Sequence, residues 1–345
     1  MERQSRAAYL VRYGKAEQAF EWRSLTLPVL QADEVLIETE AFGLNFADVL
    51  ARNGLYREAP PLPAVIGYDL VGKITAVGNQ VDQKWLGKRV AALTRFGAYA
   101  THAITKTTGI VEVPADMPAG EACALGTQYA TAYYSAFYVQ QLHEGENVLI
   151  HAASGGVGTA LIQLAQNAKC KIFATVGSDE KKEDLIKKGI TAFNYNSEDY
   201  ELAIKKVLQG DKLDVSFNSI AGSTFKKDMR LLGANGRLVL FGFAERSGKR
   251  GGKWATIKLL WNMGIVIPIM TLAKSKSIIG VNMLKIGDHR AHIVGKCMES
   301  LIDLYKANKI KPIIGAEYQE NQLAEAHADL ENRKIKGKAI VYIKS

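Results

Sequence analysis

The sequence predicts an α/β protein: a doubly wound parallel sheet in the second half of the chain, preceded by a compact antiparallel barrel or sandwich. Three observations predict it. From Asn147 onward, apolar strand-like runs alternate with helical patterns, which is how a parallel sheet covered by helices on both faces is written. Residues 7–113 instead carry short alternating runs separated by Gly, Pro and Asn. Between strand and helix at the head of the second half stands a turn of small residues, Ala153-x-Gly155-x-x-Gly158.

Taken in order, Glu34 to Thr39 and Val71 to Gly78 alternate apolar and polar side chains and read as half-buried strands. After Pro114 and Pro118 the pattern changes, and Glu121 to Tyr138 reads as one long helix. Asn147 to Ile150 is a strand, and Val157, Leu161, Leu164, Ala165 and Ala168 share one helix face. The alternation continues with strand Lys171–Val176, helix Glu180–Lys188, strand Ala192–Tyr195, helix Tyr200–Leu208 and strand Leu213–Asn218. A helix through Leu232 and a strand Arg237–Gly242 follow. Residues 243–277 interrupt the rhythm with a basic run, Arg246 to Lys253, and an apolar one, Trp254 to Leu272. Lys258, Asn262 and Pro268 make the apolar run too short and too polar for a membrane span, and a lid, a dimer contact or a lipid surface all stay open. A strand Ile278–Val281, helices Ala291–Lys306 and Leu323–Glu331, and a last strand Lys338–Ile343 complete the chain.

The small-residue turn carries the first chemical inference. Small side chains let the backbone bend sharply and approach a pyrophosphate, whose charge rests on the unpaired N–H groups and positive end of the new helix. The phosphate cradle is therefore Ala153, Ser154, Gly155, Gly156, Val157 and Gly158.

Composition narrows the classes further. With 345 residues, 48% of them hydrophobic and 23% charged, the chain is ordinary globular material with room for two cores. Its N-terminal charges precede no apolar h-region, so no signal peptide is expected. Cys123, Cys170 and Cys297 are scattered and show no C-x-x-C spacing, which predicts reduced thiols in a cytoplasmic protein. The formal charge of +9 is spread over helical faces, and no basic-and-aromatic platform for nucleic acid is legible.

The ordered set of motifs resembles a known family. Gly43-Leu44-Asn45-Phe46-Ala47-Asp48, Gly54-Leu55-Tyr56, Pro63-x-x-x-Gly67-Tyr68-Asp69-x-x-Gly72, Gly87 to Val90, Ala152 to Gly158 and Gly337 to Val341 are similar to the medium-chain dehydrogenase/reductase superfamily. Within it they resemble the zinc-free quinone oxidoreductases and the branch of the vesicle amine transport protein. The resemblance implies an N-terminal GroES-like β-barrel domain, residues 1–124 completed by 278–345. A doubly wound Rossmann domain, 125–277 with an insertion at 243–277, would lie between them, with the active site in the cleft. It also implies a homodimer through the Rossmann domains.

Zinc alcohol dehydrogenases of the same superfamily place Cys, His and Cys where this chain has Asn45, Tyr68 and Thr127. No thiolate or imidazole stands at any of the three, so no catalytic metal is expected. His289 and His292 lack a third ligand and read as a surface pair. Without a Lewis acid the accessible chemistry is hydride delivery to an electron-poor acceptor, a quinone or an enone. Where an NAD-specific site has a carboxylate, the chain runs Val176-Gly177-Ser178, with Asp179 and Glu180 arriving too late. Ser178, Lys181, Lys182, Tyr195 and Arg333 resemble the family's 2′-phosphate set and, with Gly177 beside them in the cofactor site, point to NADPH. By the same resemblance Asn218, Gly242, Phe243, Val281 and Asn282 complete the cofactor site, and Asn45, Asp48, Tyr56 and Thr127 surround the reacting end. Tyr56 would donate to a developing oxyanion; Asp48 reads as a loop cap as much as a proton carrier. The competing reading is a weakly active or non-enzymatic NADPH-binding protein whose residues 246–272 meet lipid.

Overall fold

The computed structural model of the chain describes residues 5–242, 261–264 and 266–344. They form two compact units, one of Met1–Ala130 with Met283–Ser345 and one of Thr131–Asn282. In chain order the first unit contributes β1 (Ser5–Leu10), β2 (Phe20–Leu25), β3 (Glu34–Leu44), β4 (Ala64–Val65), β5 (Asp69–Val77), β6 (Arg89–Leu93), β7 (His102–Lys106) and β8 (Ile110–Glu112). The second unit holds β9 (Asn147–Ile150), β10 (Lys171–Val176), β11 (Thr191–Asn194), β12 (Leu213–Asn218), β13 (Leu232–Leu240) and β14 (Ser277–Gly280). The chain then returns to the first unit with β15 (Ile314–Gln319) and β16 (Lys338–Tyr342).

The first unit is the GroES-like β domain. Its larger sheet runs β15-β16-β3-β5-β6-β8 with β7 on β3, and a small sheet β2-β1-β4 packs with it. β3 shows why the alternating pattern reads as it does. Val35, Ile37, Thr39 and Ala41 face the core while Glu38 and Glu40 face water, and beyond Ala41 both faces are covered. β16 pairs with β3 from Leu44 to Ala41, so a strand near residue 340 and one near residue 42 share one core with Leu10, Phe42, Ile66, Leu70, Tyr99 and Val341. Helix Leu323–Glu331 covers it with Leu323, Ala326 and His327, spaced as one helix face requires.

The second unit is the Rossmann domain, a sheet of order β11-β10-β9-β12-β13-β14 with every pairing parallel. The order reverses between β9 and β12, and in such sheets ligands bind outside the carboxyl ends of the strands at that reversal. Five of the six residues of β10 are buried, the signature of a strand covered on both faces.

Three elements depart from the sequence expectation. The helix expected over 121–138 is broken, as Ala119–Ala124, a wide π-type turn Leu125–Tyr129, Ala130–Tyr133 and a second wide turn Tyr134–Tyr138. Small residues and aromatics there give strong helical periodicity, and periodicity does not report where a backbone bond slips by one residue. Helix Met283–Lys306 starts eight residues before Ala291 and is kinked at Arg290, whose backbone is non-helical, so the exposed His289 and His292 flank a break instead of sharing one face. β13 begins at Leu232, because the chain passes from helix Ser223–Leu231 into the strand with no intervening loop.

Candidate functional site

In the Rossmann unit the turn after β9 is built for close approach. Ala152 adopts a left-handed backbone (φ 50°), and helix Gly156–Asn167 begins at Gly155 with no side chain capping its first N–H groups. A Cβ on Gly158 would lie 2.5 Å from the Ala152 carbonyl oxygen, so only glycine lets helix and turn pack at this distance. The first-turn N–H groups, with no side chain capping them, fit a pyrophosphate.

The floor beneath this turn is a fully buried polar network that sequence reading missed. His151, the residue after β9, places Nε2 3.0 Å from the Asp228 carboxylate and Nδ1 2.8 Å from Thr175 Oγ1. Asp228 Oδ2 accepts from Ser216 Oγ at 2.8 Å and Asn218 Nδ2 at 2.6 Å, and its Oδ1 accepts from Tyr200 at 3.0 Å. Asn218 Oδ1 in turn accepts the backbone N–H groups of Ile220 and Ala221. The Asn218 side chain, expected in the cofactor set, is thus committed to holding the loop after β12. One carboxylate ties together the ends of β9, β10 and β12 and two helices. Nothing in the spacing of these residues signals the network, since its members come from five separate elements of the chain.

At the end of β10, Val176 is followed by Gly177, over which the Tyr195 ring lies so closely that a Cβ there would sit 2.5 Å from its hydroxyl. Ser178 caps helix Asp179–Ile186, its oxygen accepting from the Lys181 N–H at 3.3 Å. Asp179 Oδ1 accepts from Asn194 Nδ2 at 2.8 Å, which fastens the first acidic residue after β10 to β11. Lys182 is paired with Glu198 at 2.6 Å, and Lys181 sits in the same first turns. Gly242, whose Cβ would meet the Ser219 carbonyl oxygen at 2.8 Å, and Val281, whose N–H bonds Leu240 O, stand at the ends of β13 and β14 with Asn282 beyond. Arg333 belongs to the barrel unit, in a left-handed turn (φ 59°) after helix Leu323–Glu331. Phe243, the run Arg246 to Lys253 and Trp254 to Leu260 lie outside the described residues.

The barrel unit gathers a second set. Asn45, Asp69 and Lys338 form a buried triad: Lys338 Nζ donates to Asp69 Oδ2 at 2.6 Å and to Asn45 Oδ1 at 2.9 Å, and Asn45 Nδ2 donates to Asp69 Oδ1 at 3.1 Å. The Thr127 N–H, presented by the wide turn Leu125–Tyr129, donates to Asp69 Oδ2 at 3.0 Å. Gly43 makes room for it, since a Cβ at that position would lie 2.2 Å from Lys338 Cε. Asp69 and Lys338 are fully buried, a cost offset by their mutual ion pair and by the Asn45 and Thr127 bonds around it. Both stood in motifs that carried the resemblance, but their pairing needed β16 to lie beside β3.

Asp48 caps its own helix, Oδ2 accepting the Asn45 N–H at 2.8 Å, with the Tyr99 hydroxyl against the same carboxylate. Burial first, and the neighbouring Asp69 charge after the cap bond, push its carboxyl up to about 7. Tyr99, buried beside it, shares a 3.2 Å hydrogen bond with His327 Nε2, and burial with the nearby Arg52 charge keeps His327 well below its ordinary pKa. Half-buried Tyr56 meets Tyr68 edge-on, centroids 6.4 Å apart.

Among the described residues no three His, Cys, Asp or Glu are grouped to hold a metal ion, and no helix is long and apolar enough to cross a membrane. Comparison with known proteins places these features. Residues 31–115 match the family model described as an alcohol dehydrogenase GroES-like domain, and residues 156–299 that of a zinc-binding dehydrogenase. Quinone oxidoreductase of Mus musculus is 32% identical over 330 residues, 94% of this chain and 93% of that protein. The chain belongs to the medium-chain dehydrogenase/reductase superfamily. Within it, the synaptic vesicle membrane protein VAT-1 homolog of Danio rerio is 30% identical over 97% of this chain and 69% of its own length. The crystal structure of human VAT-1 homolog-like protein superposes with a TM-score of 0.84 at 28% identity, covering 99% of each chain. The Escherichia coli quinone oxidoreductase complexed with NADPH also gives 0.84, at 25% identity over 98% of this chain and 99% of that one. These relatives put this superfamily member among the oxidoreductases of the quinone oxidoreductase and VAT-1 branch.

Proposed function

We propose that this chain is an NADPH-dependent, zinc-independent reductase that transfers hydride to quinones or activated alkenes. The observation that carries the reading is the β10 end: Val176-Gly177-Ser178 offers no carboxylate to a ribose, and the first acid, Asp179, is held by Asn194. Ser178, Lys181 and Tyr195 then stand where a 2′-phosphate would be met, and the turn Ala153 to Gly158 cradles the pyrophosphate. Lys182 shares its charge with Glu198 and contributes less than a lone lysine would. NADPH brings the hydride; the chain's own work is to position and to exclude water. In the barrel unit Asn45, one of the positions at which zinc relatives carry a ligand, is bonded to the Lys338 ammonium. A fixed cation there disfavours a second, metallic one.

NADPH oxidation screened against quinones, enones and enoyl thioesters tests the reaction; an enoyl reductase, CurK, is among the similar structures at TM-score 0.84 and 28% identity. Turnover with none of the three would defeat it. In calorimetry NADPH is expected to bind at least tenfold more tightly than NADH, about 1.4 kcal/mol; equal dissociation constants would overturn the assignment of the β10 end.

The proposal extends to a cytoplasmic homodimer formed through the Rossmann units. Among the described residues β14 is paired on one side only, and Trp261, Ile269 and Leu272, which precede it in the chain, are 81%, 63% and 73% exposed. Those side chains also support a second reading, in which the same face rests on lipid and turnover is incidental. Light scattering giving a dimer mass, with no flotation on anionic liposomes, favours the first; a monomer that floats favours the second.

A further inference from the structure

Two ion pairs of the barrel unit tie a short helical piece to two loops, and nothing described above uses them. Met283–His289 makes about two turns and is cut off from the rest of its helix at Arg290, whose backbone (φ −145°, ψ 45°) is not helical. Beyond that break Val294, Cys297, Met298, Leu301 and Ile302 are buried, whereas no residue of the piece before it is. Lys285 Nζ lies 3.2 Å from Oε2 of Glu58, which belongs to the loop after helix Phe46–Arg52. Arg95, in the turn after β6, donates to Asp288 twice, Nε to Oδ1 at 2.6 Å and Nη2 to Oδ2 at 3.2 Å. That grip holds the Asp288 carboxyl below its usual range. The same two loops carry the rings that flank Tyr68, Tyr56 edge-on at 6.4 Å and Phe96 at 5.0 Å between centroids. Leu284 and Tyr56 both pack on the core cluster that contains Tyr68 and Phe96. Burial raises the Tyr56 phenol above its usual range, and the Glu58 and Arg95 charges both bear on it.

We propose that Met283–His289 is a strap that closes over an acceptor lying on the Tyr56, Tyr68 and Phe96 rings, hinged at Arg290 and latched by the Glu58–Lys285 and Arg95–Asp288 pairs. This rests on the reading of the chain as a reductase of quinones or enones, in which Tyr56 stands at the reacting end, and it names the element that admits and retains the acceptor. The aromatic set suits a flat conjugated ring. Exposed ion pairs are weak and screened by salt, which makes them poor sources of stability but fits a contact that must break and re-form in every turnover. The break at Arg290 lets the strap lift while the buried helix beyond it stays in place. Met283 also follows directly on Val281 and Asn282, so the strap begins where the proposed cofactor site ends in the chain. Sequence reasoning saw none of this, because residues 58, 95, 285 and 288 are far apart in sequence and the helix was expected to begin only at Ala291.

The test uses the protein loaded with NADP+, which cannot deliver hydride, with tetramethyl-1,4-benzoquinone as probe and amide hydrogen exchange followed by mass spectrometry. Bound quinone is expected to slow exchange at Met283–His289 about tenfold and to leave Ala291–Lys306 unchanged. In Asp288→Asn without quinone, exchange of the strap should quicken about fivefold, the most that one exposed ion pair supplies. The same variant should bind the quinone about fivefold more weakly and NADP+ as tightly as the parent does. Arg95→Asp combined with Asp288→Arg re-forms the pair with its charges exchanged and should restore both values, which a general loss of structure would not allow. A quinone that leaves the strap's exchange unchanged, exchange that changes equally on both sides of Arg290, or an Asp288→Asn whose strap opens while quinone affinity holds overturns the inference. NADPH turnover by the parent would then leave the reductase reading standing. A strap protected by quinone in a protein that turns over no acceptor does the reverse: the closure stands and the reductase reading falls.

Discussion

Replacing Lys338 with methionine is expected to destabilise the protein by about 3–5 kcal/mol, the cost of removing one partner from a buried pair. Methionine keeps the length of the side chain, so the loss reports charge and not volume. It leaves Asp69 fully buried with only the Asn45 amide and the Thr127 N–H to meet its charge. A protein of this kind has about 5–15 kcal/mol in hand, so the single variant stands near the limit of folding. The double variant Lys338→Met with Asp69→Asn removes the charge that is left behind and should recover most of the loss. Thermal midpoints of the parent, both single variants and the double variant measure the coupling. A single variant within about 1 kcal/mol of the parent would show that the ammonium is dispensable. Activity should fall with stability, because the same lysine holds the Asn45 side chain in place.

Asp228→Ala is the second large effect. Four donors, from His151, Ser216, Asn218 and Tyr200, converge on that carboxylate, and alanine strands them in a buried core. Each unmet buried donor costs about 1–3 kcal/mol, so a loss of at least 3 kcal/mol is expected even after relaxation. The functional consequence is as specific. His151 precedes the phosphate turn and Asn218 fastens the next strand's loop through Ile220 and Ala221, so NADPH affinity should fall about tenfold or more. Asp228→Asn keeps one carbonyl oxygen and should lie between parent and alanine on both scales. Calorimetric titration of NADPH together with thermal unfolding checks the pair of effects. A destabilised Asp228→Ala that binds NADPH as tightly as the parent would confine the network to a structural role.

How far the sequence reached differs between the two units. In the Rossmann unit, strands Lys171–Val176 and Leu213–Asn218 and helix Tyr200–Leu208 were legible to the residue. Lys171–Val176 is largely apolar, as a strand buried on both faces is written, Leu213–Asn218 alternates apolar and polar residues, and turns mark the ends of both. The nucleotide turn was legible for a related reason: it needs residues without side chains at fixed spacing, and a glycine's absence of Cβ is visible in sequence. What was not legible was which polar side chains the fold had already taken. Asn218, Lys182 and Asn45 were expected at the ligand by resemblance, and each also bonds within the protein, to Asp228, Glu198 and the Asp69–Lys338 pair.

The sequence by itself determined the α/β class, the alternation that makes the sheet parallel, the phosphate turn, and the loss of thiolate and imidazole at Asn45, Tyr68 and Thr127. All of these are local: they depend on periodicity, on glycine and on residue identity at a spacing. Only the tertiary structure decided that Lys338 neutralises Asp69 and that Asp228 anchors His151 and Asn218. Those facts depend on strands and helices far apart in the chain meeting in a medium where a charge or a hydroxyl without a partner is costly, and local patterns carry no record of that meeting.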